Sequence, residues 1–421
     1  MAFYWKYTNI KWLLTAFFAV NAAHCIGQTP TRNLDDYLDA AIKGNPILRE
    51  AANTLKSFAL DSQKIAASLG PQVTANGAFG LSPVIGGVGF DPVVTNISPL
   101  SALVNVSRDY VSKGNLDARN AALRLLASGT ANDVKITEQD LRRSITAQYL
   151  TVYADLRQAD YYRQLLDALQ AARPLVKSLT ESNVYHQTDF LTFEVTLKQQ
   201  ELQIHQLAIQ TSSDFATLNY LCGISDTTTY GLSLPAMPIA TPSNRDTSVF
   251  FLRYNIAADL LQNERINLVY SYKPKAGVFA NAGYLSSLQY KAWENFGYNF
   301  GVNVSVPIYD GHRKKMEEAK IQLRENTNSA NKEWFASQFD MEVRHLKQQL
   351  AATDALIDEI KVQVSYTEAL VDADRKLLGT GDVRISDFVL ALNAKITAQY
   401  LLTQNTVGRL QIINQINYRN R

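Results

Sequence analysis

The sequence is poor in cysteine, with 2 in 421 residues, Cys25 and Cys222. Cys25 falls in an N-terminal stretch that reads as a leader, so Cys222 is left alone in the mature chain. One thiol cannot form an internal disulfide. Leu221 and Gly223 beside it look like a helix end with a glycine stop, so a buried inert thiol is expected rather than a nucleophile. Histidine is scarce too: 5 residues, His24, His186, His205, His312 and His345. None stands at convincing ligand spacing from a second. His186 lies near a turn, where a solvated side chain is the plain reading and a pH or metal role the sharper one. There is no nucleotide-binding loop and no catalytic triad. The sequence therefore names no catalytic, cofactor-binding or metal-ligating residue, and an enzyme is not expected. Carboxylates such as Glu317, Glu318, Asp372 and Asp374 read as the wet face of a long helix. An excess of one charge is also missing. Lys and Arg number 41 against 39 Asp and Glu, a net of +2. That balance gives no hint of nucleic-acid binding, which needs a clustered basic face.

One more absence matters. After the leader, no apolar run reaches the roughly 20 residues of a membrane-spanning helix. The leader itself, residues 1–27, has Lys6 and Lys11, a short apolar run from Trp12 to Val20, then small residues from Ala22 to Gly27. This is the pattern of a cleaved secretory signal, with Gln28 as the new first residue. Cys25 invites lipidation, but His24 stands where a lipoprotein signal wants a small residue. An exported chain without a spanning helix can enter a membrane only as a β-barrel.

What the sequence does contain is a long internal repeat. Val104-Asn105-Val106-Ser107 returns as Val302-Asn303-Val304-Ser305, an offset of 198 (104 to 302). Asp189-Phe190 returns as Asp387-Phe388 at the same 198 (189 to 387). Pro71 matches Pro274 at 203 (71 to 274), so the first copy carries a small insertion between these landmarks. The period is far beyond the roughly 20–50 residues of a solenoid and marks a duplicated architectural unit.

Each copy switches periodicity in the same order. Residues from about Leu34 to Ala67 have helical spacing, broken at Asn45-Pro46 and ended by Pro71. From Gln72 the period is two, predicting strands over about 72–82 and 101–110. In the second copy the strands are expected over about 275–285 and 296–309. There Phe296, Tyr298, Phe300, Val302, Val304, Val306 and Ile308 make one apolar face. Gly297, Asn299, Gly301, Asn303, Ser305 and Pro307 make a small, polar one. Such a strand suits a transmembrane barrel, which needs about 9–11 residues per crossing. A half-buried strand of a soluble sandwich is the alternative. Tyr284, Tyr290 and Tyr298 read as part of an aromatic girdle. Two very long helices follow, about Leu116 to Leu179 and Lys314 to Leu378, each on the order of 100 Å if continuous. Only Pro174 interrupts them. In the second, Val343, Leu346, Leu350, Thr353, Ile357, Ile360 and Val364 step by three and four, the seven-residue pattern of supercoiled helices. Tips at Glu181-Ser182-Asn183-Val184 and Leu378-Gly379-Thr380-Gly381-Asp382 lead into helices over about 189–221 and 387–416. The Thr, Ser and Pro of 225–247 make a linker.

Three local motifs sit on this frame. Leu38, Ala41, Asn45, Pro46 and Leu48 open it. Pro307-Ile308-Tyr309-Asp310-Gly311 joins a strand to a helix. Gly381 precedes Asp387 at the second tip. In this order, and duplicated, they resemble the TolC-type outer-membrane efflux proteins. The likeness covers essentially the whole mature chain: 28–224 as first repeat, 225–247 as linker, 248–421 as second repeat. It implies a mainly α fold with a β-barrel part. In that family a duplicated helix, β-hairpin and long helical hairpin unit builds a homotrimer. Its twelve-stranded transmembrane barrel sits in outer-membrane lipid and continues as a periplasmic α-helical coiled-coil barrel. The resemblance further implies an exit duct for efflux or type I-like secretion, working with a periplasmic adaptor (membrane fusion) protein and an inner-membrane transporter, without cofactor. It assigns Asp387 and Asp189 to the periplasmic entrance. It assigns Asn183, Val184, Gly379, Thr380, Gly381, Asp382 and Val383 to adaptor-docking tips. The chain departs from the family at Leu390, where some members have a second acid. It departs again at Val383 and Leu378, where some have an arginine and a tyrosine; Arg384 stands next to the first. The alternative is an exported coiled-coil structural or surface protein without channel activity.

Overall fold

A computed structural model describes residues 31–95, 98–226, 228–241, 245, 247–287 and 292–420. The leader with His24 and Cys25, part of the linker, and Tyr290 lie outside the described residues. The helices are α1 (Leu34–Gly44), α2 (Pro46–Ser68), α3 (Lys113–Glu181), α4 (Gln187–Cys222), α5 (Val249–Ser271), α6 (Arg313–Thr380) and α7 (Ile385–Arg419). The strands are β1 (Thr31–Arg32), β2 (Gln72–Phe79), β3 (Pro99–Tyr110), β4 (Gly231–Leu232), β5 (Lys275–Ser287) and β6 (Phe296–Ser305). No helix among the described residues is long and apolar enough to cross a membrane. The chain divides into two compact units.

The strand unit comprises Pro46–Glu138 and Ser243–Met341. Its sheet has the order β2-β3-β5-β6 and is antiparallel at every pairing. The two hairpins share one register. Gln72 opposes Ser107 in the first and Lys275 opposes Ser305 in the second, positions related by the two offsets of the sequence repeat. β2 stops at Phe79, short of the expected 82, where Gly80 N–H donates to Pro99 O and Pro83 then removes a ladder donor. β6 stops at Ser305 rather than 309 because Pro307 has no N–H.

Helices in this unit are tied by side chains. Phe251 of α5 meets Phe335 and Phe339 of α6 edge-on, centroids 5.2 and 5.4 Å apart. Asn132 of α3 donates to Val249 O at 2.8 Å. Gly114 at the start of α3 lies so close to Tyr270 that a Cβ would stand 2.5 Å from its Cζ, so a side chain there would have to displace the tyrosine ring. The Asp310-Gly311 junction turns the chain into α6. Gly311 and His312 are both left-handed, and the Asp310 carboxylate accepts the Lys314 N–H at 2.8 Å. That bond, above all, holds the Asp310 carboxyl below its ordinary range. α2 spans 23 residues and buries none of them fully: Leu48, Ala51, Leu55, Phe58 and Ile65 are half-buried, and Ser62 donates to Asn120 of α3 at 3.0 Å.

The helical unit comprises the chain up to Asn45 with Gln139–Pro242 and Glu342–Asn420. Three apolar clusters hold it. Tyr37, Leu38 and Ala41 of α1 pack on Ile145, Tyr149 and Val152 of α3 and on Phe215, Leu218 and Cys222 of α4. This explains the opening motif: Leu38 and Ala41 are core, Asn45 caps α1 and Pro46 starts the next helix. The Tyr149 hydroxyl donates to Ser233 O at 2.8 Å and anchors β4, which pairs in parallel with β1. Cys222 is buried and unpaired, and burial pushes its thiol up to about 12, the inert state expected of it. The second cluster joins Leu150 of α3, Leu346 and Leu350 of α6, and Leu410, Ile413 and Ile416 of α7. On α6, Leu346, Leu350, Ile357 and Ile360 are buried, with Val343, Thr353 and Val364 half-buried, as the seven-residue pattern requires. The stripe continues through Thr367, Val371 and Leu378. The third cluster lies at the tips. α3 runs unbroken through Pro174 to Glu181.

Candidate functional site

Two surfaces carry the candidate function. The first is the sheet. Directly opposed residues of an antiparallel pair share a face, so the registers sort every strand position. One face holds Val73, Ala75, Phe79, Val104, Val106, Val278, Ala280, Ala282, Phe300, Val302 and Val304, with Arg108 opposite Val278 near the end of β3 as its one charge among these strand positions. It has no cover: Phe300 is 79% exposed and Val302 70%. Aromatics edge this face at both ends. Tyr284 and Phe296 meet edge-on at 5.4 Å beside Tyr298, and Tyr110 stands at the other end with Arg108 over its ring. The opposite face carries a lateral row of polar side chains, Thr74, Asn105, Asn281 and Asn299, one from each strand. Asn281 donates to Asn299 at 3.0 Å. The next row is Ser107, Phe279 and Gly301, where the Phe279 ring covers the glycine. Gly277 lies between Asp109 and Asn303, whose oxygens would crowd any Cβ there. Both outer edges, β2 and β6, lack a partner strand among the described residues.

The second surface is the pair of tips in the helical unit. They are one motif used twice. At the first, Asn183 is left-handed with φ 60°, Asn183 N–H donates to Thr180 O, and Val184 N–H donates to Leu179 O. At the second, Gly381 has φ 82°, its N–H donates to Leu378 O, and Asp382 N–H donates to Leu377 O. Both are helix stops of the kind that wants a left-handed residue. Thr380 donates to the Asp382 carboxylate at 2.6 Å, while Gly379 has open space around it. The tips touch. Val184 Cγ1 lies 3.5 Å from where a Gly381 Cβ would stand, and the Tyr185 hydroxyl donates to Val383 O at 2.5 Å. Burial, with Asp189 adding to it, holds the Tyr185 phenol above its ordinary value and keeps that donor protonated. Tyr185 was not legible as a site residue, because an aromatic after a turn reads as ordinary packing. Its only signal is its place in the repeat, 198 residues before the residue it holds.

The two entrance aspartates differ. Asp189 is the third residue of α4, and its carboxylate accepts the His186 N–H at 3.0 Å. His186 is thus the N-cap residue of α4. Asp387 holds the equivalent place in α7 but does not reach back to Arg384. It is exposed, and its carboxylate takes a long bond from the Ser386 hydroxyl, 3.4 Å. Leu390 beside it is 69% exposed. No group of three or more metal-ligating side chains occurs among the described residues.

A four-stranded antiparallel sheet of two hairpins, mostly apolar on one face and mostly polar on the other, together with long helical hairpins, is the fold of the TolC-type outer-membrane channels. Solved structures of that kind match over nearly the whole chain. CusC, described in connection with transmembrane channel formation, matches with a TM-score of 0.73 at 13% identity, over 91% of this chain and 90% of that one. The CmeC outer-membrane channel of Campylobacter jejuni matches at 0.72 and 12%, over 92% and 85%. The outer-membrane protein VceC of Vibrio cholerae matches at 0.71 and 13%, over 92% and 96%. No family model and no curated protein matches the sequence.

Proposed function

We propose that the protein is an outer-membrane exit duct, assembled as a homotrimer. The observation that carries this is the sheet: four strands, one bare apolar face, two unpaired edges. Four strands cannot close on themselves, and an open edge cannot stand in lipid. β2 and β6 run in opposite directions, so β6 of one copy can join β2 of the next antiparallel, and three copies give twelve strands. Such head-to-tail joining closes a ring. The apolar face then meets lipid and the asparagine row lines the bore. The exposed side of α2, with Ile47 and Leu60, would find cover on a neighbouring copy.

In this reading the tips point into the periplasm. Asn183, Val184 and Gly379 to Val383 meet a periplasmic adaptor coupled to an inner-membrane transporter, for efflux or type I-like secretion. Asp387 and Asp189 stand at the entrance. The leader is cleaved on export. Fractionation tests the whole: a trimer that migrates differently when heated, recovered from outer membranes and conducting ions in planar bilayers, is the expected result. Soluble protein in the periplasm without conductance would establish the exported structural protein instead.

A further inference from the structure

A cavity of about 290 Å³ opens in the helical unit between the first turns of α4 and α7. Its floor is apolar: Phe193 and Ile385 are buried there, and Val389 is packed against the same cluster. Its polar wall is unusual in what it has already spent. The Thr192 hydroxyl donates to Thr188 O, and the Thr196 hydroxyl donates to Thr192 O, both at 2.9 Å. Each threonine therefore offers the cavity lone pairs and no proton. Asn393 gives one amide hydrogen to Val389 O at 3.0 Å. Asp189 accepts the His186 N–H through Oδ2, which leaves Oδ1 as a charged acceptor in the cavity wall. No Lys or Arg lines it.

The Ser386 hydroxyl, also in the lining, is turned to Asp387. One carboxylate with threonine lone pairs beside it, over an apolar floor, is complementary to a donor that carries positive charge and an apolar body. We propose that this cavity binds small organic ammonium compounds, the ammonium against Asp189 and the threonine oxygens, the apolar part on Phe193 and Val389. The positive ends of the two helix dipoles oppose a cation, but each amounts to only about half a charge. Asp189 and Asp387 set a full negative charge against each. The cavity's use as a transit site for cationic cargo rests on the duct reading. Its binding of amines does not.

The test uses the full chain in detergent and phenethylamine as probe, followed by calorimetry and saturation-transfer NMR. Phenethylamine should bind, while 2-phenylethanol and 3-phenylpropionate of like shape should not compete. Asp189→Asn keeps an acceptor for the His186 N–H and removes the charge. It should weaken binding by about ten-fold or more, the scale of a charge-assisted hydrogen bond. Thr192→Val and Asp387→Asn should each weaken it less. Val389→Phe, which fills the cavity, should abolish it and serves if Asp189→Asn does not fold. Equal binding of the phenylpropionate anion, or equal loss from Asp387→Asn and Asp189→Asn, would overturn the proposal. Binding is read without transport, so that outcome would leave the duct reading intact.

Discussion

Val302→Arg and Asn303→Arg place the same charge one residue apart on β6, on opposite faces of the sheet. β6 has ten residues. At about 3.3 Å per residue and a tilt near 40°, such a strand rises about 25 Å, the height of a barrel's apolar band. Val302 then lies within about 4 Å of the bilayer midplane, with Val278 opposite it and 70% of its surface bare. An arginine there costs about 2–4 kcal/mol per chain, hence about 6–12 kcal/mol per trimer. Asn303 faces the polar side beside Gly277, where a long side chain can reach into the bore at little cost. Assembly is read as the fraction of outer-membrane protein that migrates as heat-sensitive trimer. Val302→Arg should nearly abolish that band, and Asn303→Arg should keep most of it. Equal loss from both would refute the assignment of faces, and with it the bilayer as the environment of this sheet.

Other outcomes follow from the same geometry. The shared hairpin register fixes the seam between chains. Shifting the β3–β5 pairing by the repeat offsets sets Asn303 opposite Ala78 of the next copy and Ser305 opposite Asn76. Asn76→Cys with Ser305→Cys should therefore cross-link chains into a closed trimer, while unlinked monomer under oxidation would show a different register. Gly283→Ala should impair folding by on the order of 1–3 kcal/mol, since φ is 152° and a Cβ would stand 2.0 Å from Ala102 O; an unchanged trimer yield would contradict this. A bulky side chain at Gly381 should stop export while the trimer still forms, and normal export would move the docking site elsewhere. In planar bilayers, Asp387→Asn should reduce cation preference, and unchanged selectivity would leave that residue without an entrance role. Asp155, pushed up to about 7 by burial and then by Asp214, holds a proton in the folded chain that the unfolded chain has released above about pH 4. Stability should therefore fall as pH rises from about 4 to 7, by at most about 4 kcal/mol and by less where water screens the pair. Asp155→Asn should flatten that slope in thermal melts, and an unaltered slope would exclude this carboxyl as its source.

Much of this architecture was legible from period alone. The alternation at 296–304 and the three-four stepping at 343–364 each describe one element's own face. Burial, or bareness, follows directly from such a pattern. The repeat offsets were legible because both hairpins kept one register. What stayed hidden depends on contacts between distant segments. Nothing local marks Tyr185 as the donor to Val383. The sequence presents Asp189 and Asp387 as equivalent, yet only Asp189 accepts the N–H of the residue that opens its helix, while the Asp387 carboxylate takes the Ser386 hydroxyl. Strand ends were overrun at Leu81 and Val306 because alternation outlasts the ladder, which a proline closes by lacking a donor.

The pairing of β3 with β5 has a thermodynamic consequence. In the proposed ring it is the same joint as the one between chains: once within each of the three polypeptides and three times across a gap between them. Bringing free bodies together costs an estimated 4–15 kcal/mol of translational and rotational freedom per association. A chain that carries two hairpins needs two such associations to complete a ring, where single-hairpin chains would need five. Duplication thus lowers the concentration at which the ring forms, and it leaves each chain free to alter one tip while the other stays fixed.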